Sequence, residues 1–142
     1  MSAPAGAIGS TGLLVGVGID AVDIERFRRV LRRRPGLAAR LFSDAERAEA
    51  AAAADPVPGL AARFAVKEAV MKALGTGLWA YPFSDVEVVG AGHRPTLCLG
   101  PGAARRAEDL GVAGWLVSMT LEGPVAMAVV SAEAGAPEPR DR

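Results

Sequence analysis

The chain has 142 residues, about one domain's length, with 51% apolar residues and 16 cationic against 16 anionic side chains. A formal net charge of zero selects no highly charged partner, so any recognition by charge is local. One cysteine, Cys98, excludes an internal disulfide framework and a cysteine-based metal cluster. Leu13–Ile19, the longest apolar run near the N-terminus, is too short to cross a bilayer, and no basic segment precedes it; a cytoplasmic location and no membrane contact are expected.

Residues 1–12 and 134–142, rich in Gly, Pro and Ala, are expected to be tails around a domain at 13–133. Leu13–Asp20 reads as a strand with Val15, Val17 and Ile19 on one face and Gly16, Gly18 and Asp20 on the other. Asp23–Arg34 reads as a basic helix stopped by Pro35-Gly36. Ser43 and Glu46 have the spacing of a capping box, which opens a second helix running to about Ala54. Asp55-Pro56-Val57-Pro58-Gly59 breaks the chain before a third helix over Leu60–Leu74, closed by Gly75. Asp85–Val89 and Thr96–Leu99 read as strands joined through Gly90-Ala91-Gly92, and Pro101–Leu110 as a helix. Trp115–Leu121 and Val125–Ser131 form a hairpin around Glu122-Gly123-Pro124. The order predicts a single small α+β domain with a mainly antiparallel sheet packed with helices.

Asp20 closes an apolar strand on its glycine face. Gly16 and Gly18 either belong to a tight turn before a capped helix or open a channel beside the carboxylate. In the third helix Leu60, Phe64, Met71 and Leu74 form an apolar stripe that includes Lys67, with Glu68 and Lys72 flanking it. Of the 16 cations 14 are Arg, and both lysines fall in this helix. Lys67 either snorkels to the rim or meets a partner or an anion. Glu68 and Lys72 are either a solvated i,i+4 pair or parts of a site. Arg63 and Gly75-Thr76-Gly77 add a cation and free backbone N–H groups, the components of a polyphosphate pocket. Asp20 and Glu68 together suit Mg²⁺, which takes one or two protein carboxylates and fills its octahedron with water and substrate phosphates.

The run Arg26, Arg28, Arg29, Arg32, Arg33, Arg34 is either a solvated helix face or a docking surface for an acidic protein. No aromatic residues interleave with it, which argues against nucleic acid. His93 reads as an exposed loop residue. Ser118 and Thr120 sit in a strand without the His and Asp pattern of a hydrolase.

Two segments carry a resemblance. Gly16-Val17-Gly18-Ile19-Asp20-Ala21-Val22-Asp23-Ile24-Glu25-Arg26, followed by Arg63-Phe64-Ala65-Val66-Lys67-Glu68-Ala69-Val70-Met71-Lys72-Ala73-Leu74-Gly75-Thr76-Gly77, resembles the two signatures of the holo-[acyl-carrier-protein] synthases, which are 4′-phosphopantetheinyl transferases. The resemblance extends from about Leu14 to Ala132. It implies a homotrimer with active sites at subunit interfaces. It implies transfer of the phosphopantetheine arm of coenzyme A to a serine of an apo acyl carrier protein, of fatty-acid or polyketide synthesis, with release of adenosine 3′,5′-bisphosphate. By position, Asp20 and Glu68 match the metal carboxylates. Lys72, Arg63 and Gly75-Thr76-Gly77 match residues around the coenzyme A phosphates, with Lys72 and Glu68 in the catalytic roles. Pro95 and Ser118 match positions near the nucleotide. Arg26, Arg28, Arg29, Arg32 and Arg33 match the helix that docks an acidic helix of the carrier. The base is Glu68 or a water on the metal. Two positions depart from the family: Leu116, before Val117-Ser118, and Leu121 stand where histidines are usual. A catalytically impaired binding module and a Mg²⁺-dependent nucleotide hydrolase are the rival readings.

Overall fold

The computed structural model describes residues 13–77, 80–90 and 92–135. In chain order these form β1 (Leu14–Asp23), α1 (Ile24–Arg33), α2 (Leu37–Leu41), α3 (Asp44–Ala51) and α4 (Val57–Ala73). A 3-10 turn at Phe83–Asp85 then leads into β2 (Val86–Val89), β3 (Thr96–Leu99), α5 (Pro101–Asp109), β4 (Val112–Glu122) and β5 (Val125–Ala134). The long strands make an antiparallel sheet in the order β1-β5-β4, while β2 and β3 pair as a separate antiparallel hairpin. The expected α+β architecture is what forms. Residues 1–12 and 136–142, the greater part of the expected tails, lie outside the described residues, and Ala134 is the last residue of β5.

α4 organises the molecule. It begins at Val57, earlier than the expected Leu60. Proline is tolerated in a first helical turn because those N–H groups have no intrahelical acceptor, and Asp55 Oδ1 accepts the Val57 N–H at 3.1 Å. The expected apolar stripe is instead burial on most sides: Ala61, Ala65, Val66, Lys67, Ala69 and Val70 are all fully inaccessible. Alanines spaced by four residues bring the helix backbone down onto β1. Gly16 and Gly18 complete that approach, since a Cβ on Gly16 would lie 1.9 Å from the Ala73 carbonyl oxygen and one on Gly18 would lie 1.7 Å from that of Ala69. The glycines therefore open no channel; helix backbone fills the space. Asp20, next along the same face of β1, emerges where α4 presents Glu68 and Lys72.

The other face of the sheet inverts the usual pattern. Val17 and Ile19 of β1, Met127 and Val129 of β5 and Leu116 of β4 are exposed, with Ile19 at 65% and Leu116 at 60%. The register aligns Ile19 with Val129 and Val129 with Ser118, so Ser118 lies in the middle of this outer apolar face.

Two features were not anticipated. α2 is a short helix after Gly36, whose φ of 87° suits glycine alone; Leu37 and Leu41, one turn apart, are its apolar signal. Arg28 makes a bidentate bond to Asp55 at 3.0 and 2.6 Å and a second contact with Glu25, tying α1 to the start of α4. The hydrogen bonds to Asp55 raise the Arg28 pKa and lower that of Asp55.

Candidate active site

Three polar side chains meet where β1 crosses α4. Lys72 Nζ donates to the Ile19 carbonyl at 2.8 Å and to Asp20 Oδ1 at 3.1 Å. Its ion pair is thus with Asp20 across the β1–α4 contact, and not the solvated i,i+4 pair with Glu68 that was one of the two readings of the sequence. The second oxygen of Asp20, Oδ2, is buried and accepts no hydrogen bond while Glu68 is ionised. Glu68 stands beside it, half-buried. Burial first, then the hydrogen bond and charge of Asp20, push the Glu68 carboxyl up to about 7, with Lys72 opposing. Two carboxylates this close disfavour simultaneous ionisation unless a cation joins them.

The residues fit a magnesium ion. An orphaned carboxylate oxygen and a second carboxyl beside it are hard oxygen donors, and a cation would relieve both the missing bond and the like-charge conflict. Among the described residues no group of three or more His, Cys, Asp or Glu converges. A two-carboxylate set is the kind magnesium completes with water and phosphate.

Glu68 also lines a cavity of about 560 Å³ with Asp23, Arg26, Phe27, Phe64 and Phe83. Phe64 stacks on Phe27 at 5.2 Å and on Phe83 at 5.4 Å between ring centroids. This aromatic wall was not read from the sequence. The available signal was the spacing of Phe64 and Glu68, one turn apart on the same helical face.

Lys67, which the sequence left between the rim and a partner, is completely enclosed. Its Nζ donates to Glu46 Oε1 at 2.9 Å, to the Phe83 carbonyl at 3.1 Å and to the Val86 carbonyl. Burial pulls the Lys67 pKa below its ordinary range, while Glu46 opposes that shift. Glu46 also accepts from the Ser43 and Val88 amides, completing the expected capping box and anchoring β2. Lys67 is a bolt between α3, α4 and β2, and it faces no cleft.

The remaining candidates lie apart from the carboxylates. Arg63, five residues before Glu68 and so about 140° around the helix, donates to Glu49 at 2.9 Å and to the Gly59 carbonyl at 3.0 Å. It lines a second cavity, which shares no lining residue with the first. Pro95 is buried just before β3, Ser118 is exposed on the outer sheet face, and Leu121 lines the second cavity. Gly75 and Thr76 follow α4 directly, with the Thr76 amide donating to the Met71 carbonyl at 3.0 Å, and Gly77 is exposed. Arg26, Arg29, Arg32 and Arg33 are exposed on α1, whereas Arg28 is engaged by Asp55.

This is a small α+β fold with two carboxylates and a lysine at a strand–helix crossing. The chain matches the family model described as the 4′-phosphopantetheinyl transferase superfamily over residues 16–129. It is 47% identical over 124 residues to a holo-[acyl-carrier-protein] synthase of Streptomyces coelicolor, covering 84% of this chain and 98% of that one. Among solved structures it superposes on the holo-[acyl-carrier-protein] synthase of Neisseria meningitidis with a TM-score of 0.74 and 33% identity, over 85% of this chain and 99% of that one. The synthase of Bacillus anthracis, solved in complex with coenzyme A (3′,5′-ADP), superposes with a TM-score of 0.69 and 27% identity, over 86% and 98% of the two chains. The chain belongs to the holo-[acyl-carrier-protein] synthase family of 4′-phosphopantetheinyl transferases.

Proposed function

We propose that this protein transfers the 4′-phosphopantetheine group of coenzyme A to a serine of an apo acyl carrier protein, releasing adenosine 3′,5′-bisphosphate. Within the family frame, one observation carries the reading: the buried, unpartnered Oδ2 of Asp20 beside Glu68 and Lys72. Asp20 and Glu68 would hold magnesium, which when bound neutralises the pyrophosphate and polarises the phosphorus under attack. Lys72, whose side chain is more than half exposed, reaches phosphate oxygens and offsets charge on the departing nucleotide. Glu68, the member of the pair that opens onto the aromatic cavity, accepts the proton of the carrier serine. The serine Oγ then bonds to the β-phosphorus, and the bond from that phosphorus to the bridging oxygen breaks.

The exposed arginines of α1, Arg26, Arg29, Arg32 and Arg33, lie at the mouth of that cavity or along its helix and suit an acidic carrier surface. Arg63, Pro95 and Ser118 serve the nucleotide. Because they lie away from Asp20 within one chain, a complete site takes its two halves from neighbouring copies. The apolar outer face of the sheet, with Val17, Ile19, Leu116 and Val129 exposed, suits burial around a threefold axis. We assign the protein to the cytoplasm, in keeping with an exposed free Cys98; among the described residues no helix is long and apolar enough to cross a membrane.

The test is mass spectrometry of an apo carrier incubated with the protein, coenzyme A and Mg²⁺. Addition of phosphopantetheine to the carrier serine is expected. An unmodified carrier with every partner tried would overturn the assignment, and consumption of coenzyme A without any carrier would replace it with a hydrolase.

A further inference from the structure

Without any ligand, Asp20 already has a cation of its own. Lys72 Nζ lies 3.1 Å from Asp20 Oδ1 and 2.8 Å from the Ile19 carbonyl. An ammonium has three N–H bonds, so one is left without an acceptor among the described residues. The Lys72 side chain is 55% exposed against 11% for Asp20, which places a flexible, solvated cation on a fixed and nearly buried carboxylate. Such a pair is weak and exchangeable. Lys67, enclosed and held by three acceptors, has no comparable freedom. A divalent cation joined to Asp20 and Glu68 would therefore meet a resident ammonium that already neutralises the first of the two, and like charges at that range oppose each other.

We infer that Lys72 is the resident counter-ion of Asp20 in the free chain and keeps its affinity for a divalent cation low until a polyphosphate draws the ammonium away. The inference rests on the proposed transferase reading and adds the regulation of that site. A polyphosphate offers more negative charge and more acceptor oxygens than one carboxylate, so the ammonium moves to it and Asp20 is released. Each ligand removes the obstacle to the other: the phosphates take the lysine from Asp20, and the cation repels the lysine towards the phosphates. By linkage this coupling is reciprocal. The side-chain type suits the task. A guanidinium would grip Asp20 as a fork and release it less readily, which gives a reason for lysine here in a chain whose other cations, Lys67 apart, are all arginines.

The test is calorimetric titration of the full chain with Mg²⁺, alone and saturated with coenzyme A, with no carrier present. Free Lys72→Met is expected to bind Mg²⁺ roughly fivefold more tightly than free wild type, the contribution of one exposed ion pair. The gain in Mg²⁺ affinity on adding coenzyme A should shrink at least as much. Arg26→Gln removes a cation from the cavity that Glu68 lines without touching Asp20, and should stay within about twofold of wild type because a solvated charge is screened. A second readout needs no variant protein in the titration. With isotopically labelled lysine the chain gives NMR signals from only two side chains. The Lys72 signal, identified by its loss in Lys72→Met, should move as Mg²⁺ alone is added to wild type, while that of Lys67 stays in place. An unchanged or weaker Mg²⁺ affinity in Lys72→Met, an equal rise in Arg26→Gln, or a Lys72 signal indifferent to saturating Mg²⁺ would overturn the inference. If any of these occurs while wild-type protein modifies a carrier, this inference alone fails. If wild-type protein modifies no carrier, the transferase reading fails first.

Discussion

The two lysines of this chain sit little more than one turn apart on α4 and live in opposite circumstances. Lys67 is enclosed, and it has three acceptors for its three N–H bonds. Its partner Glu46 is equally occupied by the Ser43 and Val88 amides. Lys72 is exposed and meets Asp20, whose second oxygen has no partner, beside a Glu68 carboxyl held up at about 7. The same residue types thus build a closed ionic bolt and an open ionic site. Satisfaction of every donor and acceptor marks structure; an orphaned oxygen next to a displaced pKa marks a place prepared for something else.

The largest effects should come from breaking the open cluster. Asp20→Ala and Glu68→Ala are each expected to lower kcat/KM more than ~100-fold, a barrier increase above ~2.7 kcal/mol. Circular dichroism and melting temperature should stay close to wild type, and high activity of either variant at low Mg²⁺ would remove the metal role. Breaking the closed cluster should do the reverse. Lys67→Met leaves Glu46 charged and enclosed, a loss of about 3–5 kcal/mol, whereas Lys72→Met lowers stability by about 1 kcal/mol or less because its side chain is more than half exposed. Urea unfolding of both variants measures the contrast, and equal losses would dissolve the distinction between bolt and site.

A subtler probe is pH. The Glu68 carboxyl is raised from its ordinary 4.5 to about 7 in the folded chain, so the native state holds more protons than the unfolded state between those values. Its contribution to stability is therefore fully present below about pH 4.5 and is lost as the pH rises through about 7. In EDTA the melting temperature should carry this decline, and Glu68→Gln should remove that component. A slope identical in the variant would assign the decline to other groups. Smallest of all, Arg29→Glu should raise KM for the carrier several-fold and leave that for coenzyme A unchanged, with wild-type carrier KM rising with salt. Arg28→Gln should instead loosen the link between α1 and Asp55, visible as faster amide exchange at the start of α4; a selective change in carrier KM would return Arg28 to the docking face.

Much of this was legible in the sequence because local chemistry encodes it. The Ser43–Glu46 capping box, the hairpin at Glu122-Gly123-Pro124 and the alternation of β1 depend on residues near one another in the chain. Asp20 and Glu68 were legible as hard oxygen donors, and Lys72 stood out in a chain that otherwise uses arginine. The meaning of Gly16 and Gly18 was not legible, because it depends on which distant backbone occupies the space they leave. The same holds for Lys67: an apolar stripe with one cation looks alike whether a partner 21 residues away closes over it or solvent does. Arg28 looked like its neighbours in a basic run until Asp55, 27 residues on, singled it out. Helix α2 was passed over because five residues after a Pro-Gly stop give too little periodicity to register.

The contact of β1 with α4 also bears on how the chain is made. Asp20 and Lys72 are 52 residues apart, and the sheet partner of β1 is β5, the last strand among the described residues. During synthesis β1 waits until β5 has emerged before it can be hydrogen-bonded into this sheet. Local elements such as the helix at α4 can form earlier, but the carboxylate pair cannot exist until the slow, long-range closure is complete. On the proposed reading of that pair, the ability to bind a divalent cation appears late and all at once, as a signal that folding has finished.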